Sequence, residues 1–355
     1  MAERPLFPVS RVHLDELGGE YGIWQRARGS RPDESFGYRT DDVGRALEVD
    51  LLHGRALGWT AVRASAERSL AFLEAAFNPT TGRFRNLRAA DGTWQEATGS
   101  EECHGRALHA LASLHSAGAH HDLAPRAGSL FLQALPTAKR LTSQRAIASI
   151  VLACADALSS GLNGETQSTL EDLGFGLARA FARVKNDNEW PWPEESLTCE
   201  NALLPRALIA AGSVLGDYGV RRLGLRALDW LIAAETAPDG SFAPIGSEGW
   251  TRGGNRGRFD QQPIEATATI LASLSAYQMT ADERYLQAAD RAYGWFLGDN
   301  DARVALADPG RGACRDGLSA AGVSLDEGAE STLMWLMALE EMRAIRSSGM
   351  SAPEA

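Results

Sequence analysis

The sequence predicts an all-α protein: an (α/α)6 toroid of helical hairpins with small β-ribbons in its rim loops. Three features of the 355-residue chain lead there. Apolar residues recur at helical spacing over long stretches, the stretches come in pairs, and the connections alternate between short and long.

In chain order, the spacing predicts helices over 40–57 and 61–77, over 100–117 and 121–135, and over 141–159 and 165–184. It then predicts 198–215 with 218–235, 261–279 with 282–298, and a last helix over 326–346. Ile264, Ala268, Leu271 and Leu274 show the pattern, lying on one face of their helix. Links within a pair are a few residues long, which makes the two helices antiparallel neighbours. Links between pairs, at 78–99, 185–197, 236–260 and 299–325, are mostly long and rich in Gly, Pro, Trp and Asp. Long links recurring on one side gather at one end of the molecule. The turn sequences TTGRF (80–84) and PDGSF (238–242) read as tight turns entering short rim strands. Five pairs and one helix leave a sixth partner to be supplied, expected from the N-terminal segment 12–28 folding back. An open solenoid is the competing arrangement. Residues 1–346 read as one domain, 347–355 as a disordered tail and His120–His121 as an exposed turn.

Composition narrows the function. The chain is 44% hydrophobic and 23% charged, with a net charge of -11. Arg supplies nearly all of its positive charge, and no basic block stands out. That excludes nucleic acid and anionic membrane as natural partners. The four cysteines lack CxxC spacing, the N-terminus lacks an apolar signal core, and no run is long enough for a membrane span. A cytoplasmic protein is the expectation. No metal spacing and no phosphate-loop sequence appears, so no cofactor and no metal is expected.

In a closed ring the first helix of each pair lies inside, with its N-terminus at the long-loop end. Five of those helices open with acids: Asp41-Asp42, Glu101-Glu102, Glu200, Asp260 with Glu265, and Asp326-Glu327 with Glu330. The third pair, opening LTSQRA, is the exception. One acid in a first turn is adequately explained by capping and the helix dipole. Paired acids converging on one mouth would repel and split their pKa values, yielding an acid beside a base. Glycoside cleavage uses such a pair. Asp42, Glu102, Glu195, Asp260 and Glu330 form the candidate catalytic pool.

The tract NEWPWPEE (188–195) holds Trp190 and Trp192 between prolines, next to Glu194 and Glu195. Stiff Trp beside carboxylates suits stacking on a sugar ring. Wedging of the loop onto the body is the alternative, and simple loop packing accounts for Trp94 and Trp250. His104 and Arg106 follow Glu102 within a turn. Asp41, Arg45, Glu101, His104, Arg106, Trp190, Trp192, Glu194, Asn201, Gln261, Gln262, Glu265, Arg315 and Asp316 are the candidate substrate-binding residues.

The motifs TDDVGRAL (40–47), SEECHGRAL (100–108), WPWPEESLTCENALLPRAL (190–208), FDQQPIEA (259–266), WFLGDND (295–301) and CRDGL…GAESTL (314–333) together resemble a widespread bacterial family. Its members are often labelled glycosyltransferase, because the domain also occurs joined to one. The resemblance implies the six-hairpin glycosidase-like fold and functional company with a glycosyltransferase or other mannoside-active enzymes. The chain departs from the family pattern at Val43-Gly44, Glu102, Pro193, Glu195, Ser324 and Glu327. The departures at Glu102 and Glu195 keep a carboxylate but alter its reach, and those at Val43, Ser324 and Glu327 change amide contacts, which points to a different substrate. The expected function is a glycoside hydrolase, or a phosphorolytic relative, acting on an oligosaccharide, with a mannoside as the substrate that the resemblance implies. A sugar epimerase or isomerase, which needs a base near neutrality and has only His104 in a motif, ranks second. A non-catalytic glycan-binding module ranks third. A helical cyclase, lacking a DDxxD continuation after Asp41-Asp42, ranks last.

Overall fold

The computed structural model describes residues 4–118, 122–184, 186–187 and 189–349. Among them are twelve α-helices: α1 (Val12–Glu16), α2 (Thr40–Leu57), α3 (Trp59–Ala76), α4 (Glu101–Ser116), α5 (Ala124–Ala134), α6 (Gln144–Ser159), α7 (Glu165–Val184), α8 (Leu203–Val214), α9 (Tyr218–Ala234), α10 (Pro263–Thr280), α11 (Glu283–Phe296) and α12 (Ala329–Gly349). The turn at His120–His121 and residues 350–355 of the expected tail lie outside the described residues. Residues 347–349 belong to α12 rather than to a tail.

The even-numbered helices form the inner ring. α2 packs on α4, α4 on α6, α6 on α8, α8 on α10, α10 on α12, and α12 returns to α2. The protein is therefore a closed (α/α)6 toroid and not an open solenoid. Burial separates inner from outer helices for a simple reason: an inner helix has neighbours on every side, an outer helix on one. α10 is buried almost all round from Pro263 to Ala276, whereas α11 buries one stripe, including Tyr285, Ala289, Ala292 and Phe296. Close packing within the inner ring depends on small residues. A Cβ on Gly105 of α4 would lie 2.8 Å from the Ala146 carbonyl oxygen of α6. Gly58, with φ 86°, turns α2 into α3 in a single residue.

The sixth outer position differs from expectation. Only five residues of 12–28 are helical. Gly18 and Gly19 follow, and Ala27–Arg28 form a ribbon with Arg31–Pro32. The segment before α1 instead runs along α12, with Phe7 against Trp335 at 6.4 Å between ring centroids.

The rim ribbons are two residues per strand and antiparallel. Phe77–Asn78 pairs with Arg83–Phe84 around the TTGRF turn, and Thr236 bridges to Phe242 across PDGSF, as the turn chemistry predicts. Tyr38–Arg39 pairs with Leu87–Arg88, and Ser196–Leu197 with Trp250–Thr251. These ribbons tie the long loops together over the N-terminal ends of the inner helices. Among the described residues, no helix is long and apolar enough to cross a membrane.

Candidate active site

The N-termini of the inner helices converge, and their acids meet arginines. Asp42 and Arg45 stand one turn apart on α2 and are 3% and 4% exposed. The Arg45 Nη1 donates to Asp42 Oδ1 at 3.2 Å and lies 2.9 Å from Glu330 Oε2, at the start of α12. Burial pushes the Asp42 carboxyl up to about 7, Arg45 opposes the rise, and Glu330 and Asp41 add to it. Asp41 accepts from Asn86 Nδ2 at 3.1 Å.

The second ionic pair crosses the ring. Arg106 of α4 grips both oxygens of Glu200, donating from Nη1 at 3.0 Å and from Nη2. Burial would raise the Glu200 carboxyl, but Arg106 outweighs it and holds the group below the usual carboxylate range. Arg106 also feels Asp41 and Glu330, which joins the two clusters into one field. Glu200 has φ 53°, the left-handed region. A non-glycine residue there is strained, and the turn it makes sends the side chain into the ring. The Glu200 amide donates to Glu265 Oε1, and Asn201 Nδ2 donates to Glu265 Oε2 at 3.2 Å. Burial pushes Glu265 up to about 7, against those amide bonds and beside the Glu200 charge.

α6, which lacks an acid at its start, supplies a cation. Arg145 donates to Glu194 Oε1 at 2.8 Å, to Asn201 Oδ1 at 3.1 Å and to the Cys199 carbonyl at 2.5 Å. A positive charge at a helix N-terminus opposes the macrodipole, so its partners must hold it there. Glu101 caps α6 by accepting from the amides of Thr142 and Ser143, both at 2.7 Å. Glu102 accepts from Ser143 Oγ at 2.5 Å. Burial raises its carboxyl, but the hydroxyls of Ser143 and Ser100, with Arg106, bring it below the ordinary value.

The structure thus brings Asp41, Asp42, Arg45, Glu102, Arg106 and Glu330 together at the mouth, with Glu194, Asn201 and Glu265 behind them. Other expected residues lie elsewhere. His104 is fully buried on the outer side of α4, bonded to Thr137 Oγ1 at 3.0 Å and packed on Phe84 at 5.4 Å. Burial pushes it down to about 4, so it is neutral and does not reach the mouth. Trp190 and Trp192 are 3% and 1% exposed and pack with Trp230 of α9, Trp250 and Phe181 of α7. They wedge the loop onto the body and offer no face to a sugar. Glu194 accepts from the Trp192 indole at 3.2 Å. Gln261 is buried, accepting from Trp295 Nε1 at 2.8 Å and donating to Asp301 at 2.6 Å.

Glu195 and Asp260 are exposed on the rim, and through their carbonyls they accept from the amides of Arg252 and Ser247. Asp260, Gln262 and Asp316 line a shallow rim groove. Asp316 caps α12 through Gly328 N at 2.7 Å and Ser331 Oγ at 2.8 Å. Arg315 donates to the Leu325 carbonyl at 2.5 Å and lies 3.4 Å from Glu327. Trp94 packs edge-on against Phe72 at 5.2 Å.

Below the ionic layer an axial cavity of about 260 Å³ runs toward the C-terminal ends of the inner helices. Arg45, Arg106 and Glu200 line its upper end, and Arg55, Ser116 and Glu341 its lower end. Between them His109 Nδ1 stands 2.6 Å from Glu48 Oε1, and its Nε2 is 3.6 Å from Asp156. Burial would lower His109, but Glu48 and Asp156 outweigh it and raise the imidazole above its ordinary value. Sequence reasoning passed over Glu200 as a site residue, and Arg145, Glu48 and His109 entirely. One signal was available for the last two. Glu48 and His109 follow Arg45 and Arg106 by three residues, on the same inward face. Among the described residues, no cluster of three or more His, Cys, Asp or Glu is arranged to hold a metal ion.

No protein-family model matches the sequence, and no curated protein matches it significantly. The fold, by contrast, matches solved structures over nearly its whole length. A cellobiose 2-epimerase from Spirochaeta thermophila superposes with a TM-score of 0.71 at 15% identity, covering 95% of this chain and 93% of that one. A D-mannose isomerase gives 0.72 at 12% identity, with 94% of each chain covered. A GH76 alpha-mannanase from Bacteroides thetaiotaomicron gives 0.68 at 12%, covering 95% and 94%. The chain has the six-hairpin glycosidase-like fold that these proteins share.

Proposed function

We propose that this protein is a carbohydrate-active enzyme that cleaves a glycosidic bond at the N-terminal mouth of its inner ring, with Asp42 and Glu330 as the reacting pair. The observation that carries the reading is their shared partner. Both lie within reach of one nitrogen of Arg45, so their nearest oxygens are within about 6 Å of each other. Two-carboxylate glycosidases that retain configuration use a separation of about 5–5.5 Å, and those that invert use a wider one. Asp42, raised to about 7, carries a proton near neutrality and suits the general acid. It protonates the leaving oxygen, while Glu330, 44% exposed at its side chain, attacks the anomeric carbon. Water then releases the sugar, and Asp42 takes its proton. Arg45, Arg106, Asp41 and Glu102 bind hydroxyls, and the rim residues Glu195, Asp260 and Gln262 contact a longer oligosaccharide. The motif resemblance favours a mannoside and an association with a glycosyltransferase.

Purified protein offered nitrophenyl mannosides and glucosides, with and without phosphate, should release nitrophenol from at least one. Asp42→Asn and Glu330→Gln should then lose about 10²–10⁴-fold in kcat while remaining folded at the assay pH. Near-normal turnover by both variants on a substrate the wild type cleaves removes the assignment.

A second reading, sugar epimerisation or isomerisation, is favoured by His109 in the axial cavity and by the fold's likeness to an epimerase and an isomerase. Deuterium from solvent appearing in recovered sugar, with no bond cleaved, selects it over hydrolysis.

A further inference from the structure

Beneath the carboxylate layer, Arg206 of α8 faces the axial cavity with no hydrogen bond or ion pair among the described residues. Its Nε is buried without a partner. Its neighbours in the cavity are satisfied: Arg45 by Asp42 and Glu330, Arg106 by Glu200, and His109 by Glu48 and Asp156. A guanidinium has five donors and no acceptor, and a native fold seldom leaves such a buried donor bare. Opposite the polar wall of α4 and α6, the cavity is walled by Leu203, Leu271, Met334 and Met337. The space is enclosed by an apolar surface on one side, and two of its lining cations make no hydrogen bond or ion pair among the described residues: Arg55, exposed at the lower end, and the half-buried Arg206, which feels the Glu48 charge. A protein with a net charge of -11 does not gather free positive charge by composition alone.

We infer that this cavity is a second ligand site, separate from the sugar mouth, which takes a small molecule with an apolar body and one anionic head that Arg206 grips in bidentate fashion. The head is a carboxylate or a phosphate, since both match the guanidinium fork. The body lies against Leu271 and Met337, whose apolar side chains offer a hydroxyl no partner. The site does not depend on the hydrolytic reading, because none of its ligand-facing groups belongs to the reacting pair.

Calorimetry and thermal melting at pH 7 test it, using butyrate and butyl phosphate as probes, with butanol and inorganic phosphate as controls. Saturable binding of butyrate or butyl phosphate, with a rise in Tm, is the expected result, and the tighter of the two identifies the head. Arg206→Gln should weaken that binding about tenfold or more, and Leu271→Trp should abolish it by filling the cavity. Arg206→Lys keeps the charge and serves if the glutamine variant fails to fold; it should bind more weakly than wild type but more tightly than Leu271→Trp. Butanol binding as tightly as the anions overturns the proposal, as does undiminished binding in both Arg206 variants. So does the absence of any binding tighter than about 10 mM, since water alone then fills the space.

Discussion

Asp42 occupies the first turn of α2, where a carboxylate is ordinarily favoured, yet burial holds its carboxyl up to about 7. In the unfolded chain the group titrates near ~3.9. Between those values the folded protein keeps a proton that the unfolded chain has released. Stability therefore falls as pH rises through the window and levels off above about 7. Asp42→Asn has no proton to lose there. Urea unfolding of both proteins should show the difference moving in favour of Asp42→Asn by about 2–3 kcal/mol between pH 5 and pH 8. A difference that is the same at both pH values contradicts the burial argument. The catalytic counterpart runs in the same direction: kcat/KM should decline above about 7 as the acid deprotonates. Asp42, Arg45 and Glu330 were legible in the sequence, because acids at the starts of inner helices must meet once the ring closes. Glu200 was visible as one more such acid, but its role was not. That role comes from a left-handed backbone at φ 53°, which no propensity of Glu foretells.

At the scale of the element, helices and short links were legible because periodicity and glycine report local geometry directly. The direction in which a loop side chain points was not. Proline on both sides of Trp192 fixes an extended segment but leaves open which face meets the body. The deciding partners, Phe181 on α7 and Trp230 on α9, lie in helices whose outward positions look merely amphipathic in sequence. His104 is a parallel case. Its motif neighbours Glu102 and Arg106 face inward, but position 104 turns toward the 3-10 segment Leu135–Arg140 and Thr137. Trp192→Ala should therefore act on stability rather than on recognition. Removing a side chain 1% exposed should cost about 3–5 kcal/mol. Sugar added to wild type should leave Trp192 fluorescence unchanged, and the KM of the folded variant should stay within a few-fold. A large rise in KM with little loss of stability would restore the stacking role.

For the whole molecule, five hairpins and a strap close the ring, and the strap is the weakest part of the closure. Residues before α1 stand where a sixth outer helix would lie; Pro5 and Pro8 keep them extended. Their hold on the last two helices is mostly polar. Arg4 pairs with Asp290 and Asp299, Arg343 donates to the Phe7 carbonyl at 3.0 Å, Arg346 to the Arg4 carbonyl at 2.6 Å, and Tyr293 to the Pro5 carbonyl at 3.1 Å. Phe7 adds an apolar contact with Trp335, a fully buried residue of α12. Deleting residues 1–9 leaves the inner ring intact but uncovers one side of α12. The half-buried Leu6 and Phe7 account for about 3 kcal/mol of that loss, and melting should fall by on the order of 5–10 °C. Because Glu330 opens α12 and reaches Arg45 only while that helix is seated, turnover should weaken at temperatures below the new midpoint. Limited proteolysis should then cut α12 before any inner helix that a hairpin partner covers. A truncated protein with the melting curve and cleavage map of the full chain would mean that the inner ring closes on its own packing, with the strap only lying over it.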